Sequence, residues 1–144
     1  MQETSLSFYP SMPSAPLELP LFSVKVSAGM PCPADDHVDD LLDLNDHLIQ
    51  HPNDTFFVRV EGESMINASI HDGDLLIVDR SLKPKHDSIV IAQLNGEFTV
   101  KRISIQHNSL LLMPENSAYS PIEVSEDMDF KIWGVVTNVI HALT

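Results

Sequence analysis

Cysteine, basic residues and long apolar runs are all scarce in this chain, and each scarcity narrows what the protein can do. The one cysteine among 144 residues is Cys32, which excludes an intramolecular disulfide, fits a reducing compartment and is interpreted as a free thiol without a role. Eight Lys and Arg residues oppose 21 Asp and Glu residues, so the formal net charge is −13. Because nucleic-acid affinity depends largely on cationic contacts to phosphate, this charge disfavours direct DNA binding.

The N-terminal region lacks the features of a secretory signal. Val26-Ser27-Ala28 before Gly29 has the small residues of a signal-peptidase site, but residues 1–22 contain no Lys or Arg and are interrupted by four prolines. No apolar run elsewhere approaches the roughly 20 residues that span a bilayer. We therefore expect a soluble, cytoplasmic protein without membrane contact.

The chain divides into an N-terminal arm and a folded body that is large enough for one domain. Six prolines within residues 1–33 oppose helix formation, so the arm is predicted to be extended or mobile. Between Ala34 and Gln50, apolar residues recur at helical spacing and aspartates cluster toward the start. This pattern predicts one or two short helices that end near Pro52; its apolar members are Val38, Leu41, Leu42, Leu48 and Ile49.

From Thr55 onward the pattern is typical of β-structure. Short segments rich in Val, Ile, Leu and Phe are bounded by turn residues, and Asn95-Gly96 is a strong signal for a two-residue hairpin. We predict a mainly β fold with strongly twisted antiparallel sheets and an N-terminal helical appendage. The predicted strands are Phe56 to Glu61, Leu75 to Asp79, Ser88 to Leu94, Glu97 to Ile105, Leu110 to Met113 and Phe130 to His141.

Ser64 and Lys101 are the candidates for chemistry. Ser64 follows Gly62 at the end of a predicted strand, where a turn exposes a hydroxyl and a backbone N–H, although a lone serine there is usually only a turn residue. Strand alternation places Thr99 and Lys101 on one face. This lysine either extends to solvent or is buried and neutral, and the pattern alone favours solvent. Lowering a lysine pKa from about 10.4 to about 7 costs roughly 4–5 kcal/mol, which a fold seldom tolerates without a function.

Histidines offer weaker alternatives. Asp43, His47 and His51 fall at i, i+4 and i+8 and suit a shared metal, but Pro52 places His51 at a helix end, so a solvated acidic helix is favoured. His86, His107 and His141 lack ligand spacing. Seven histidines keep a Ser-His-Asp triad open as an alternative. We expect no metal site and no cofactor, since phosphate-loop, dinucleotide and paired-cysteine motifs are missing from the sequence.

Several segments carry motifs that occur together in one family. The distinctive ones are Gly62-Glu63-Ser64-Met65, Asp72 to Asp79 and Asn95 to Lys101, and further matching segments are Leu44 to Pro52, Phe57-Val58, Ile89 to Ala92, Pro114 to Ile122 and Trp133 to Val136. Together they resemble the LexA/UmuD-like family of self-cleaving Ser-Lys serine peptidases. The resemblance covers nearly everything from Leu21 to the C-terminus and implies the LexA-like peptidase fold.

The resemblance implies a role for each site residue. Ser64 is the expected nucleophile, Lys101 the general base, and Ala28-Gly29 the bond that the chain cuts in itself, as in LexA. Backbone N–H groups around Glu63 and Ser64 are expected to hold the oxyanion. Cleavage would then remove residues 1–28 as an arm and leave residues 29–144 as the peptidase domain.

The resemblance also implies partners in the SOS response to DNA damage. A RecA filament on single-stranded DNA stimulates cleavage, and the processed form associates with a UmuC-type Y-family DNA polymerase for error-prone translesion synthesis. A homodimer is implied. The apolar stretch Phe130 to Val139 is one candidate for its surface, although the same stretch could equally be part of the core.

Repressor activity is not expected, because 28 proline-interrupted residues cannot supply a helix-turn-helix domain. A signal peptidase shares the Ser-Met and lysine chemistry but needs a membrane anchor. The competing hypothesis is a non-catalytic interaction module that regulates a polymerase partner while uncut.

Overall fold

The computed structural model describes residues 5–10, 15–22, 26, 28–31 and 38–144. Cys32 and the first residues of the predicted helical segment, 34–37, lie outside these described residues. The chain forms two compact units, one made of Met1–Ser11 and His51–Thr144 and the other of Met12–Gln50. No helix in the described part of the chain is long and apolar enough to cross a membrane.

Ten strands account for most of the described secondary structure. All strand pairs are antiparallel, which confirms the predicted mainly β class. A short helix, α1 (Leu44–Leu48), and two 3₁₀ turns, Pro52–Asp54 and Ile66–Ala68, complete the elements. The strands are β1 (Ser5–Pro10), β2 (Leu19–Phe22), β3 (Val38–Leu42), β4 (Thr55–Glu61), β5 (Leu75–Asp79), β6 (Ile89–Leu94), β7 (Glu97–Gln106), β8 (Ser109–Met113), β9 (Ile122–Val124) and β10 (Phe130–Ile140).

The larger unit contains one eight-stranded sheet with the order β1-β4-β5-β10-β6-β7-β8-β9. The C-terminal strand β10 thus lies between β5 and β6, so its two neighbours come from the middle of the sequence. The β6–β7 hairpin turns at Asn95 and Gly96, whose φ values of 48° and 84° are the positive values that the sequence predicts there. Buried apolar side chains fill two clusters, one including Val58, Met65 and Leu76 and the other including Val90 and Leu112.

In the smaller unit the prediction of helix is wrong for Val38–Leu42. These residues form β3, which pairs antiparallel with β2. A short apolar run with imperfect periodicity suits either element, and here the backbone hydrogen bonds supplied by β2 decide the outcome. Among the described residues of this unit only α1 is helical, and it begins where the Asp43 carboxylate caps the Asn45 N–H at 3.0 Å. The described strands β1 and β2 agree with the predicted extended arm.

Asp79, at the end of β5, is a buried carboxylate with a well-defined set of donors. The Ser81 N–H and hydroxyl donate to Oδ1 at 2.8 Å and 2.6 Å, and His51 Nδ1 lies 2.6 Å from Oδ2. Burial raises the pKa of Asp79, but the hydrogen bonds from Ser81 and His51 outweigh it, so the net pKa lies below the ordinary value. The charged carboxylate therefore stabilises the fold at neutral pH.

We expect Asp79→Asn to lower the free energy of unfolding by about 1–3 kcal/mol at neutral pH. Because the folded pKa is lowered, the stabilisation is present above the unfolded pKa of about 3.9 and is lost as pH falls through the folded pKa. Urea unfolding at about pH 7 and about pH 3.5 should therefore show a difference between wild type and variant that shrinks in acid. Asp127→Asn is the control, since that carboxylate also has a lowered pKa but is fully exposed. Equal urea midpoints for wild type and Asp79→Asn at neutral pH would contradict the assignment.

Candidate active site

Ser64 lies in a tight turn that leaves the sheet after β4. Gly62 has a φ of 99°, a conformation that side-chain-bearing residues rarely adopt, and its N–H donates to Asp72 Oδ1 at 2.7 Å. The neighbouring Met65 is anchored in the apolar core with 1% exposure. Ser64 itself is only 1% exposed, so its hydroxyl lies in a desolvated position rather than on an open turn.

The segment Pro114 to Asn116 holds this turn from outside. Asn116 Nδ2 donates to the Glu63 carbonyl at 2.8 Å, and the Glu115 N–H donates to the Ser64 carbonyl at 2.9 Å. With both carbonyls occupied, the peptide planes around Ser64 have a fixed orientation. In the sequence this segment belongs to Pro114 to Ile122, one of the stretches that carry the family resemblance, but its supporting role was not predicted.

Lys101 lies on β7 and is buried, with 7% exposure. The solvent-exposed alternative favoured by the sequence pattern alone is therefore wrong. The amine Nζ lies 3.4 Å from Ser64 Oγ, 2.6 Å from Thr99 Oγ1 and 3.2 Å from the Val100 carbonyl oxygen. The structure thus brings together the serine and lysine that are 37 positions apart in sequence.

A neutral amine can make these three contacts. Its two N–H groups donate to Thr99 Oγ1 and the Val100 carbonyl, and its lone pair accepts from the Ser64 hydroxyl. Burial also disfavours the charged ammonium form. Thr99 is a site residue that sequence reasoning did not single out, although its position two residues before Lys101 places both side chains on one strand face.

An ion pair connects the two halves of the site. Arg102 follows Lys101 on β7, and its Nε lies 2.5 Å from Glu115 Oε1. The backbone of the same Glu115 contacts the Ser64 carbonyl. Glu115 therefore links the strand that carries the lysine to the turn that carries the serine, which fixes their separation.

A cleft of about 340 Å³ opens beside Ser64 and Lys101. Its walls include the apolar side chains of Leu94, Phe98 and Ile122. These apolar walls suit a peptide segment with small or apolar side chains, and Glu97, Tyr119 and Ser120 on the same lining add hydrogen-bonding groups.

Ala28 and Gly29 lie in a bend of the smaller unit and are exposed. A Cβ added at Gly29 would meet no atom within 4 Å, so the bond between them is sterically open. The apolar residues Leu21 and Phe22, upstream of that bond, are 44% and 52% exposed. The predicted cleavage segment is thus accessible where the structure describes it.

The alternative Asp43-His47-His51 site does not form on one helix. Helix α1 ends at Leu48, and His51 contacts Asp79 instead. Both carboxylate oxygens of Asp43 accept backbone hydrogen bonds, one from Asn45 and one from Leu17. The sequence interpretation of this stretch as a solvated helix therefore fits α1, none of whose residues is buried.

Comparison with known proteins places this geometry in a family. Residues 20–137 match the Peptidase S24-like family. The chain is 48% identical over 130 residues to Protein ImpA of Salmonella typhimurium, covering 85% of this chain and 83% of that protein. It is 42% identical over 121 residues to Protein MucA of Escherichia coli, covering 83% of this chain and 82% of MucA. It is also 37% identical over 132 residues to the LexA repressor of Stenotrophomonas maltophilia, covering 92% of this chain and 62% of the repressor. The chain therefore belongs to the Peptidase S24-like family, which confirms the resemblance to LexA/UmuD-like proteins in its sequence.

Proposed function

We propose that this chain is a self-cleaving serine endopeptidase in which Ser64 is the nucleophile and Lys101 the general base. The observation that carries the proposal is the 3.4 Å separation between Ser64 Oγ and Lys101 Nζ, with both side chains buried. Serine is a weak nucleophile until a base accepts its proton, and a lysine acts as that base only when it is neutral. Burial of the amine disfavours its charged form and so supports this condition.

The proposed reaction cuts the chain's own Ala28-Gly29 bond. Lys101 accepts the hydroxyl proton as Ser64 Oγ attacks the Ala28 carbonyl carbon, and backbone N–H groups of Glu63 and Ser64 stabilise the oxyanion. Lys101 then donates the proton to the departing Gly29 nitrogen, which leaves an ester between Ser64 and Ala28. Water, deprotonated by the same lysine, hydrolyses the ester and regenerates the serine. The products are the arm, residues 1–28, and a domain of residues 29–144.

Small residues at the cleavage site fit this mechanism. The segment must lie as an extended strand against the catalytic backbone, and a bulky side chain at Ala28 or Gly29 would hold the carbonyl away from Ser64. Because the substrate is tethered, proximity supplies several kcal/mol of the barrier reduction. An always-active enzyme would destroy its precursor, so control lies in whether the segment docks beside the dyad.

The proposed setting is the cytoplasmic SOS response to DNA damage. A RecA filament on single-stranded DNA stimulates cleavage, and the processed protein, as a homodimer, joins a UmuC-type Y-family polymerase for translesion synthesis. Membership of the Peptidase S24-like family, the likeness to ImpA and MucA, and the LexA/UmuD-like resemblance support this setting. The net charge of −13 fits a regulatory subunit better than a direct DNA binder.

Incubation at alkaline pH tests the proposal without any partner. Raising the pH from about 7 to about 9.5 increases the neutral fraction of Lys101, so self-cleavage should accelerate by up to about tenfold per pH unit. N-terminal sequencing should show that the larger product begins at Gly29, and the Ser64→Ala variant should remain intact. If wild type also stays intact with RecA, ATP and single-stranded DNA, the peptidase assignment fails and the non-catalytic interaction module takes its place.

A further inference from the structure

A second cluster of chemically reactive side chains lies outside the candidate active site. It consists of His71, Asp74 and His141, each of which offers one ligand atom within 4.8 Å of the others. His71 and Asp74 lie in the turn before β5, and His141 directly follows β10. Strand pairing explains the meeting. Ile140, the last residue of β10, lies opposite Leu75, the first residue of β5, so His141 just after β10 meets Asp74 just before β5.

The carboxylate at the centre of this cluster is held rigidly. Asp74 is 2% exposed, and its Oδ2 accepts a hydrogen bond from the His71 backbone N–H at 2.8 Å. Its Oδ1 lies 2.5 Å from His141 Nδ1. The two imidazole rings lie 5.0 Å apart between centroids. A buried carboxylate that faces two histidines from a fixed position is an anchor around which a donor set can assemble.

His71 contains the feature that an ordinary histidine–aspartate pair does not explain. Its Nδ1 is buried and has no hydrogen-bond partner among the described residues. The nearest carboxylate oxygen, Asp74 Oδ2, is 3.8 Å away, which is too far for a hydrogen bond. A buried polar nitrogen without a partner carries a desolvation cost. A metal ion bound by both His71 and Asp74 would remove that cost by giving the nitrogen a partner.

We propose that His71, Asp74 and His141 bind one divalent first-row transition-metal ion, with Zn²⁺ as the reference ion. Two imidazole nitrogens and one carboxylate oxygen form a donor set that suits Zn²⁺ and its neighbours, whereas Mg²⁺ and Ca²⁺ favour sites made of oxygen atoms. Three protein ligands leave a coordination position for water. The side chains of His71 and His141 are 42% and 46% exposed, so they can rotate to close the donor distances around the buried Asp74.

Metal binding here would connect parts of the fold that are distant in sequence. The ion would join the end of β10 to the turn that contains His71 and Asp74. Within the same turn, Asp72 accepts the hydrogen bond from the Gly62 N–H, two residues before Ser64. Because the ion binds only the folded arrangement, it stabilises the native state. It also restricts the motion of the His71–Asp74 turn, which is hydrogen-bonded to the turn that carries Ser64.

Calorimetric titration of the full-length chain without a histidine tag, using ZnCl₂, tests the site. We expect one equivalent to bind, and His71→Ala and His141→Ala each to weaken the affinity by at least about tenfold. His47→Ala is the matched control, because His47 is an exposed histidine on α1 and its removal should leave the affinity unchanged. Failure of wild type to bind one equivalent would overturn the proposal. So would unchanged binding by the two variants.

A measurement on the wild-type protein covers the case in which a variant does not fold. Zinc addition should shift or broaden the ring proton signals of His71 and His141 in an NMR spectrum and leave those of His47 and His86 unchanged. Zinc should also raise the melting temperature of wild type more than that of His141→Ala. Signals that respond at His47 instead of His71 and His141 would assign the metal elsewhere and overturn the proposal.

Discussion

Replacing Lys101 with methionine should abolish self-cleavage while leaving the domain folded. Methionine has a similar length but no basic atom, so the amine that would accept the Ser64 hydroxyl proton is lost. Positioned general bases contribute on the order of 10²–10⁴-fold, and a base that also activates the nucleophile lies at the upper end of that range. We therefore expect a rate loss of at least about 10³-fold, measured as the intact fraction on a gel after incubation at alkaline pH.

The same substitution separates a catalytic from a structural lysine. A side chain with 7% exposure packs against its neighbours, and the apolar methionine fills that volume without an amine to desolvate. The melting curve by circular dichroism should therefore keep its cooperative transition. Lys83→Met, an exposed lysine on the same chain, is the control and should cleave at the wild-type rate. Collapse of the melt in Lys101→Met would make Lys101 structural, and cleavage at the wild-type rate would remove it as the base.

Strands were predictable where their own residues alternate between apolar and polar and turn residues bound them. Leu75–Asp79 was predicted with the observed bounds, and the hairpin at Asn95-Gly96 follows from the two positive φ angles that its turn requires. The strand Ile122–Val124 was missed because three residues give too little pattern, and its pairing with β8 determines its conformation. The same dependence on a partner strand converts Val38–Leu42 from predicted helix to strand.

The site was predictable in its residues but not in its environment. Ser64 and Lys101 could be named from their motifs, whereas the burial of Lys101 depends on the packing of β7 against the Ser64 turn. Neither alternation nor hydropathy distinguishes a buried lysine from one that extends to solvent. The support from Glu115 and the meeting of His141 with Asp74 arise from contacts between distant segments, which no local pattern reports.

Gly134 shows how closely the central strands approach. It lies on β10, opposite Ile91 of β6, next to a register shift that leaves Trp133 as an extra residue in the strand. A Cβ at this position would lie 2.7 Å from Val78 Cγ1 and 3.1 Å from the Asp79 carbonyl oxygen, both on the neighbouring strand β5. Val78 is fully buried and β-branched, so its side chain has little freedom to move aside. Position 134 therefore requires glycine, because any Cβ there would collide with β5.

Gly134→Val should consequently be the most destabilising of the single substitutions considered for this fold. Overpacking a buried site costs about 1–3 kcal/mol, and we expect Gly134→Ala within that range and Gly134→Val at or above its upper end. At roughly 4 °C per kcal/mol for a chain of this length, the melting temperature should fall by about 12 °C or more for valine. Gly29→Ala is the matched control, because a Cβ there meets no atom within 4 Å and should leave the melting temperature unchanged.

The same substitution of Gly134 should also slow self-cleavage. Strand β10 separates β5 from β6, and β6 pairs with the strand that carries Lys101, so a widened sheet would displace the lysine. Melting of Gly134→Val at the wild-type temperature would mean that β5 and β10 are not packed as closely as these contacts require.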